Sequence, residues 1–121
     1  MTGKLPGPED HLPLPVQLFQ VLLALGEDTL HGYGIIRALE TLTEGRETLL
    51  PGSLYGSLSR MVQAGFLEEA DPPPGQTSGG PPRRYYRATA YGKAVARAEA
   101  ERMDRLLAVA RARKLAPRGV R

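Results

Sequence analysis

Cysteine is absent from this chain of 121 residues, and with it go disulfides and thiolate metal sites. That composition suits a reducing compartment. Histidine occurs twice, as His11 and His31, and neither has a second ligand at metal spacing. No apolar run approaches the roughly 20 residues that span a bilayer. Met1 to Pro15 lacks the basic and apolar regions of a signal peptide. Together these features point to a cytoplasmic protein that does not engage a membrane. There is no Gly-rich phosphate loop and no nucleophile elbow. Carboxylates such as Glu68-Glu69 are adjacent, so on a strand they face opposite ways. No metal, cofactor or catalytic group is expected, and the chain does not read as an enzyme.

What is present fits one compact domain with one added element. The hydrophobic share of 41% is ordinary for a globular protein. The net charge of +3 and the pI near 9.5 make the chain mildly basic. The distribution is more telling. Up to Leu50, seven acidic residues face three basic ones. From Lys93 onward the balance reverses, to nine basic and three acidic. Arg83, Arg84 and Arg87 form a separate basic cluster.

Gly, Pro and charged residues dominate Met1 to His11, which reads as a loose arm. Pro13 or Pro15 can open a helix. Val16, Phe19, Leu22, Leu23 and Leu25 recur at helical spacing, and Val16, Phe19 and Leu23 share one face. Gly26 stops that helix. Thr29-Leu30 reads as a short extended step. His31-Gly32 starts a second helix with a buried stripe of Ile35, Leu39 and Leu42, widened by Ile36, and Gly45 ends it. After a connector from Glu44 to Leu49, Pro51 opens a third helix. Leu54, Leu58, Met61 and Val62 mark its apolar side, and Gly65 stops it.

Phe66 to Ala70 and Arg83 to Ala88 read as two strands. Between them, Asp71 to Pro82 holds five prolines and three glycines and must be a turn or loop. Tyr85 and Tyr86 would point to opposite sides of their strand, so one of them is core. Thr89 then caps a last helix from Ala90 to about Leu115. The fold is therefore expected to be mainly α with a small β-hairpin. It is a winged helix-turn-helix plus a long C-terminal helix. The divisions expected are an arm over 1–12, the DNA-binding domain over 13–89, the helix over 90–115 and a tail over 116–121.

The third helix carries the chemistry. Ser53, Tyr55, Gly56, Ser57, Ser59 and Arg60 lie off the stripe set by Leu54, Leu58 and Met61. A major groove admits one α-helix, and serine hydroxyls can reach bases or phosphates. A merely solvated face would be rich in Lys and Glu, the better helix formers. Gly56 costs roughly 1 kcal/mol against alanine inside a helix, and it would let the backbone come close to DNA. Arg83 and Arg84, where the chain re-enters the second strand, suit a phosphate backbone or a narrow minor groove. Double-stranded DNA is thus the expected partner. The competing reading is a winged-helix module that binds protein, and steep salt dependence would separate the two.

In the last helix, Ala96, Ala100, Met103, Leu107 and Ala110 are spaced four, three, four and three apart. That is a short, alanine-rich heptad seam, widened by Leu106 and Val109. Glu101 and Arg105 can pair at i,i+4. Near Tyr91 and Val95 the helix should pack on its own domain, and beyond Met103 on a second copy. A two-fold dimer would present two recognition helices to half-sites about one helical turn apart.

These residues resemble the PadR family of transcriptional regulators from about Leu14 to Leu107. The marks are His31-Gly32-Tyr33-Gly34-Ile35, Pro51-Gly52-Ser53-Leu54-Tyr55, Leu58, Gly65-Phe66-Leu67 and Arg84-Tyr85-Tyr86-Arg87-Ala88-Thr89 with Gly92. The single C-terminal helix looks like the short branch of that family. The resemblance implies a homodimeric, usually repressing regulator with the third helix in the major groove and the hairpin as wing. It associates Tyr33 and Tyr55 with backbone contact or packing near DNA. It also implies release by a small phenolic or other drug-like aromatic effector. Two departures stand out. The wing tip from Pro72 to Pro82 is unusually proline-rich, and there is no tryptophan to sandwich an aromatic drug.

Overall fold

A computed structural model describes residues 5–75 and 83–117. Most of the proline-rich wing tip, residues 76–82, and the end of the tail lie outside the described residues, as do residues 1–4. The helices are α1 (Val16–Leu25), α2 (Gly32–Leu42), α3 (Pro51–Gln63) and α4 (Ala90–Ala112). The strands are β1 (Leu30–His31), β2 (Leu67–Ala70) and β3 (Tyr85–Ala88). The expected order of three helices, hairpin and long helix is the order observed. The extended step before α2 does more than expected. It adds to the hairpin, giving an antiparallel sheet in the order β1-β3-β2.

The core lies between α1, α2, α3, the sheet and the first half of α4. Val21, Leu25, Ile35, Leu39, Leu54, Leu58, Met61, Leu67 and Val95 are its most deeply buried apolar side chains. Two helix stripes differ from expectation. On α1 the buried residues are Val21, Leu22, Ala24 and Leu25. Val16 and Leu23 are exposed and Phe19 is half-buried, so their shared face looks outward. A helix apolar nearly all round gives spacing nothing to choose by. On α2, Leu42 is 65% exposed, because the helix ends there and the chain turns away. Glu44 and Gly45 make that turn, both with positive φ, of 55° and 81°.

The N-terminal segment is a packed element from Pro8 onward rather than a loose arm. Pro8–His11 forms a single 3₁₀ turn against α4. The His11 ring meets Phe66 edge-on at 4.9 Å, and Leu14 is buried. The Tyr91 hydroxyl donates to the Pro6 carbonyl at 2.7 Å and contacts His11 Nε2 at 2.7 Å. Aromatic partners from distant parts of the chain hold the segment, and local composition could not reveal them.

Thr89 caps α4 as its sequence suggests: its Oγ1 accepts from Gly92 N at 2.9 Å. The same hydroxyl donates to the Gly65 carbonyl at 2.6 Å, which ties the start of α4 to the end of α3. Gly92 is needed there because a Cβ would run into the Phe66 backbone. Both tyrosines of β3 are buried, not one. Tyr86 belongs to the core, and Tyr85 packs against the His31 ring at 5.2 Å.

Further along α4, Glu99 is buried. It accepts from Arg102 Nε and Nη2, both at 2.8 Å, and from Leu14 N at 3.3 Å. The hydrogen bonds from Arg102, aided by Leu14 N, outweigh desolvation and hold this carboxyl below its ordinary pKa. The charged form therefore stabilises the fold above the ordinary carboxylate range, and that contribution is lost as pH falls through the depressed value. Glu99→Gln should lower the urea midpoint at neutral pH. The gap from the wild type should close on acidification, and a gap independent of pH would contradict the assignment.

Candidate nucleic-acid interface

Helix α3 has two unlike sides. Leu54, Ser57, Leu58 and Met61 are buried. Gly52, Ser53, Tyr55, Gly56, Ser59, Arg60 and Gln63 are exposed. Ser57 thus departs from the polar face assigned to it, being only 2% exposed. Its Oγ accepts from Gln17 Nε2 of α1 at 2.8 Å and from Arg60 Nη2 at 3.2 Å. Helical geometry sets position 57 beside Leu54 and Met61, so the hydroxyl enters the core rim and is satisfied by a side chain from α1. Ser53 stays exposed, with its Oγ donating to Gln17 Oε1 at 3.4 Å.

The glycines of this face are informative. A Cβ on Gly56 would meet only Arg60 Nη1, at an ordinary 3.7 Å, and one on Gly52 would meet nothing within 4 Å. Packing among the described residues does not require glycine at either place. Gly32 is different. A Cβ there would lie 2.8 Å from the Tyr55 ring and hydroxyl, so this glycine lets Tyr55 come close to the start of α2.

Between α2, α3 and the wing is an open cleft of about 820 Å³. It brings together Tyr33, Tyr55, Ser59, Arg83 and Arg84, five of the nine residues assigned to DNA contact. Ser53, Gly56 and Arg60 are exposed on α3 but do not line it, and Ser57 is buried. His31, Gln63 and Glu69 also line the cleft, and none of these was singled out as a contact. The signal for Gln63 was its spacing, four residues beyond Ser59 and seven beyond Gly56 on the exposed face. No sequence signal marks His31 as more than a helix start.

The cations in and around the cleft are held in different ways. Arg84 lies 3.9 Å from Glu69 across the hairpin, with both side chains largely exposed, so the pair contributes little. Arg87, one residue past the tyrosine pair, is bound to Glu68 at 2.7 Å. Arg83 has no carboxylate within ion-pair distance among the described residues, and its Nη1 lies 3.0 Å from His31 Nε2. Tyr33 is exposed and carries Arg37, whose guanidinium sits 5.6 Å above the ring.

On α4, Val95 is buried, as expected near Tyr91, whereas Ala96, assigned to the seam facing a second copy, packs on the core of its own domain because the first half of α4 lies against it. Ala100 is exposed, and Met103 and Ala110 are half-buried. Leu106, Leu107 and Val109 are 55%, 39% and 58% exposed. The pair expected between Glu101 and Arg105 is not among the ion pairs of the described residues; Arg102 joins Glu99 instead. A shallow cleft of about 310 Å³ between α1 and α4, lined in part by Phe19, Leu23, Ala96 and Ala100, borders this surface.

The two serines make a test of the helix's sidedness. Ser57→Ala strands Gln17 and should cost about 1 kcal/mol of stability in chemical denaturation. Ser59→Ala should stay within about 0.5 kcal/mol of the wild type. Equal effects would contradict the burial difference.

Residues 21–98 match the model of the transcriptional regulator PadR-like family, a span from within α1 to well into α4. A search of curated proteins finds no match. Solved structures with the same fold include a PadR-like transcription factor from Bacteroides fragilis. It is 25% identical and superposes with a TM-score of 0.60, over 78% of this chain and 86% of that one. A PadR family transcription regulator from Clostridium difficile R20291 is 24% identical, with a TM-score of 0.65 over 80% of this chain and 96% of that one. The circadian clock associated protein Pex from Anabaena, 18% identical, superposes with a TM-score of 0.55 over 83% and 90% of the two chains. The last two likenesses speak for the fold alone, but the family match covers most of the chain, and this protein belongs to the PadR-like family of transcriptional regulators.

Proposed function

We propose that the protein is a repressor that binds a palindromic operator as a homodimer in the cytoplasm, with α3 in the major groove and the hairpin against the flanking backbone. The observation that carries this reading is Gly56. An internal helix glycine costs roughly 1 kcal/mol against alanine, and here no neighbour among the described residues needs the space. The need lies outside, in a surface that approaches the α3 backbone closely. That surface is DNA rather than protein, because Ser53, Ser59, Arg60 and Gln63 surround the glycine with hydrogen-bonding groups. Arg83 and Arg84 extend the same side with positive charge.

The second copy is assigned to the outer face of α4. At about 1.5 Å per residue, 23 residues make a helix of about 34 Å. Its C-terminal half leaves Leu106, Leu107 and Val109 uncovered. The outward face of α1, with Val16 and Leu23, adjoins through the α1–α4 cleft and enlarges the apolar surface that a partner would cover. Release by a small aromatic effector is part of the reading, and that cleft offers an apolar site for one.

Two outcomes test the proposal. Gly56→Ala should raise stability by about 0.5–1 kcal/mol in urea denaturation. It should also weaken binding to duplexes selected from random sequence roughly tenfold, read by fluorescence anisotropy. A stabilised variant with unchanged affinity would remove the groove contact. Leu107→Asp should sediment as a monomer, and a persisting dimer would move the interface elsewhere.

A further inference from the structure

His31 stands at the seam between α2 and the wing with a hydrogen-bond donor aimed at each ring nitrogen. Its Nδ1 accepts from Gly34 N at 3.0 Å and so caps α2. Its Nε2 lies 3.0 Å from Arg83 Nη1. A neutral imidazole carries one N–H and one acceptor nitrogen, and an imidazolium carries two N–H groups and no acceptor. One ring therefore cannot accept at both nitrogens. The amide of Gly34 is fixed in the first turn of α2 and half-buried, whereas the Arg83 side chain is exposed and can turn. The acceptor nitrogen is thus Nδ1, and Nε2 carries the proton. Two N–H donors, His31 Nε2–H and the Arg83 guanidinium, then lie side by side at 3.0 Å, and among the described residues no acceptor is shared by them.

We propose that this donor pair is a clamp for one phosphate oxygen of the DNA backbone, held jointly by neutral His31 and Arg83. The proposal rests on the DNA-binding reading and deepens it. Once the exposed Arg83 side chain turns, an anion lying against both groups satisfies both donors at once and neutralises the one wing cation of the cleft that has no carboxylate partner among the described residues. The other neighbours of His31 are compatible. Tyr85 meets the ring edge-on at 5.2 Å, while Arg84 points to Glu69 at 3.9 Å rather than to His31. Burial, and then the charge of Arg83, also lower the His31 pKa, which favours the neutral ring needed as both cap and donor. The clamp places the phosphate beside Tyr55 and Ser59 of α3, in the same cleft. It would fix the register of the recognition helix without reading sequence.

The test uses His31→Asn, which keeps a good N-cap for α2 but loses the distal donor. The probe is the full-length protein with a selected duplex across a salt series. His31→Asn should keep the thermal midpoint, lose affinity about fivefold, and leave the salt slope unchanged, because a neutral donor releases no counterion. Arg83→Ala should flatten the slope by about 0.9. The double variant should bind no more than about twofold worse than Arg83→Ala alone, since both act on one oxygen. Strictly additive losses, or wild-type affinity in His31→Asn, would overturn the clamp while leaving DNA binding intact. Wild-type protein that binds no duplex would overturn the DNA reading itself, and the clamp with it. Nitrogen-15 spectra of the free wild-type protein provide a check that needs no variant. They should show the Nε2–H tautomer, and an Nδ1–H tautomer refutes the proposal.

Discussion

Two residues of β1 pairing with β3 organise the functional side of this molecule. Leu30 lies opposite Tyr86 and His31 opposite Tyr85. That pairing makes β3 the central strand and fastens the wing to the start of α2. Without it the hairpin would be a two-stranded ribbon, marginal in water on its own. With it, Arg83 and Arg84 are delivered to the same cleft as Tyr33, Tyr55 and Ser59, though they lie far apart in the chain. The cap of α2 and the wing arginine consequently meet on one imidazole ring.

A second constraint is the economy of α3. One helix must complete the core and also present a face to a partner. Leu54, Leu58 and Met61 do the first, and Ser57 is taken inward with them. Gln17 of α1 bridges Ser53 and Ser57, so the inner edge of the polar face is held from behind. What remains outside is small or flexible, with Gly52, Gly56 and Ser59 exposed. That surface stabilises the fold little and leaves the helix backbone open to close approach.

The order of elements was legible because each helix has its own punctuation. Pro51, Gly26, Gly65 and Thr89 stand at or next to helix ends, where the local rules place them. The family resemblance was legible for a related reason. Gly32 and Gly92 occupy sites where any side chain meets a neighbour, Tyr55 in one case and the Phe66 backbone in the other. Less legible were faces. On α1, apolar residues surround the helix, so Val16 and Leu23 looked like core and are exposed. On β3, alternation suggested one buried tyrosine, but β1 and the His31 ring cover what alternation assigned to solvent. The arm was misjudged because its anchors, Phe66 and Tyr91, are remote in sequence.

The sequence by itself determined the winged helix-turn-helix order and most of the polar side of α3, through local propensity and periodicity that act over a few residues. Its short motifs, such as His31-Gly32-Tyr33-Gly34-Ile35 and Pro51-Gly52-Ser53-Leu54-Tyr55, carried the family resemblance. Only the tertiary structure decided that Ser57 is a buried bridge, that the N-terminal turn is bolted to α4, and that the His31 ring lies between the Gly34 amide and the Arg83 guanidinium. Such relations arise when elements distant in the chain are packed together. The hydrogen bonds that a side chain must then satisfy are set by neighbours that no local pattern names.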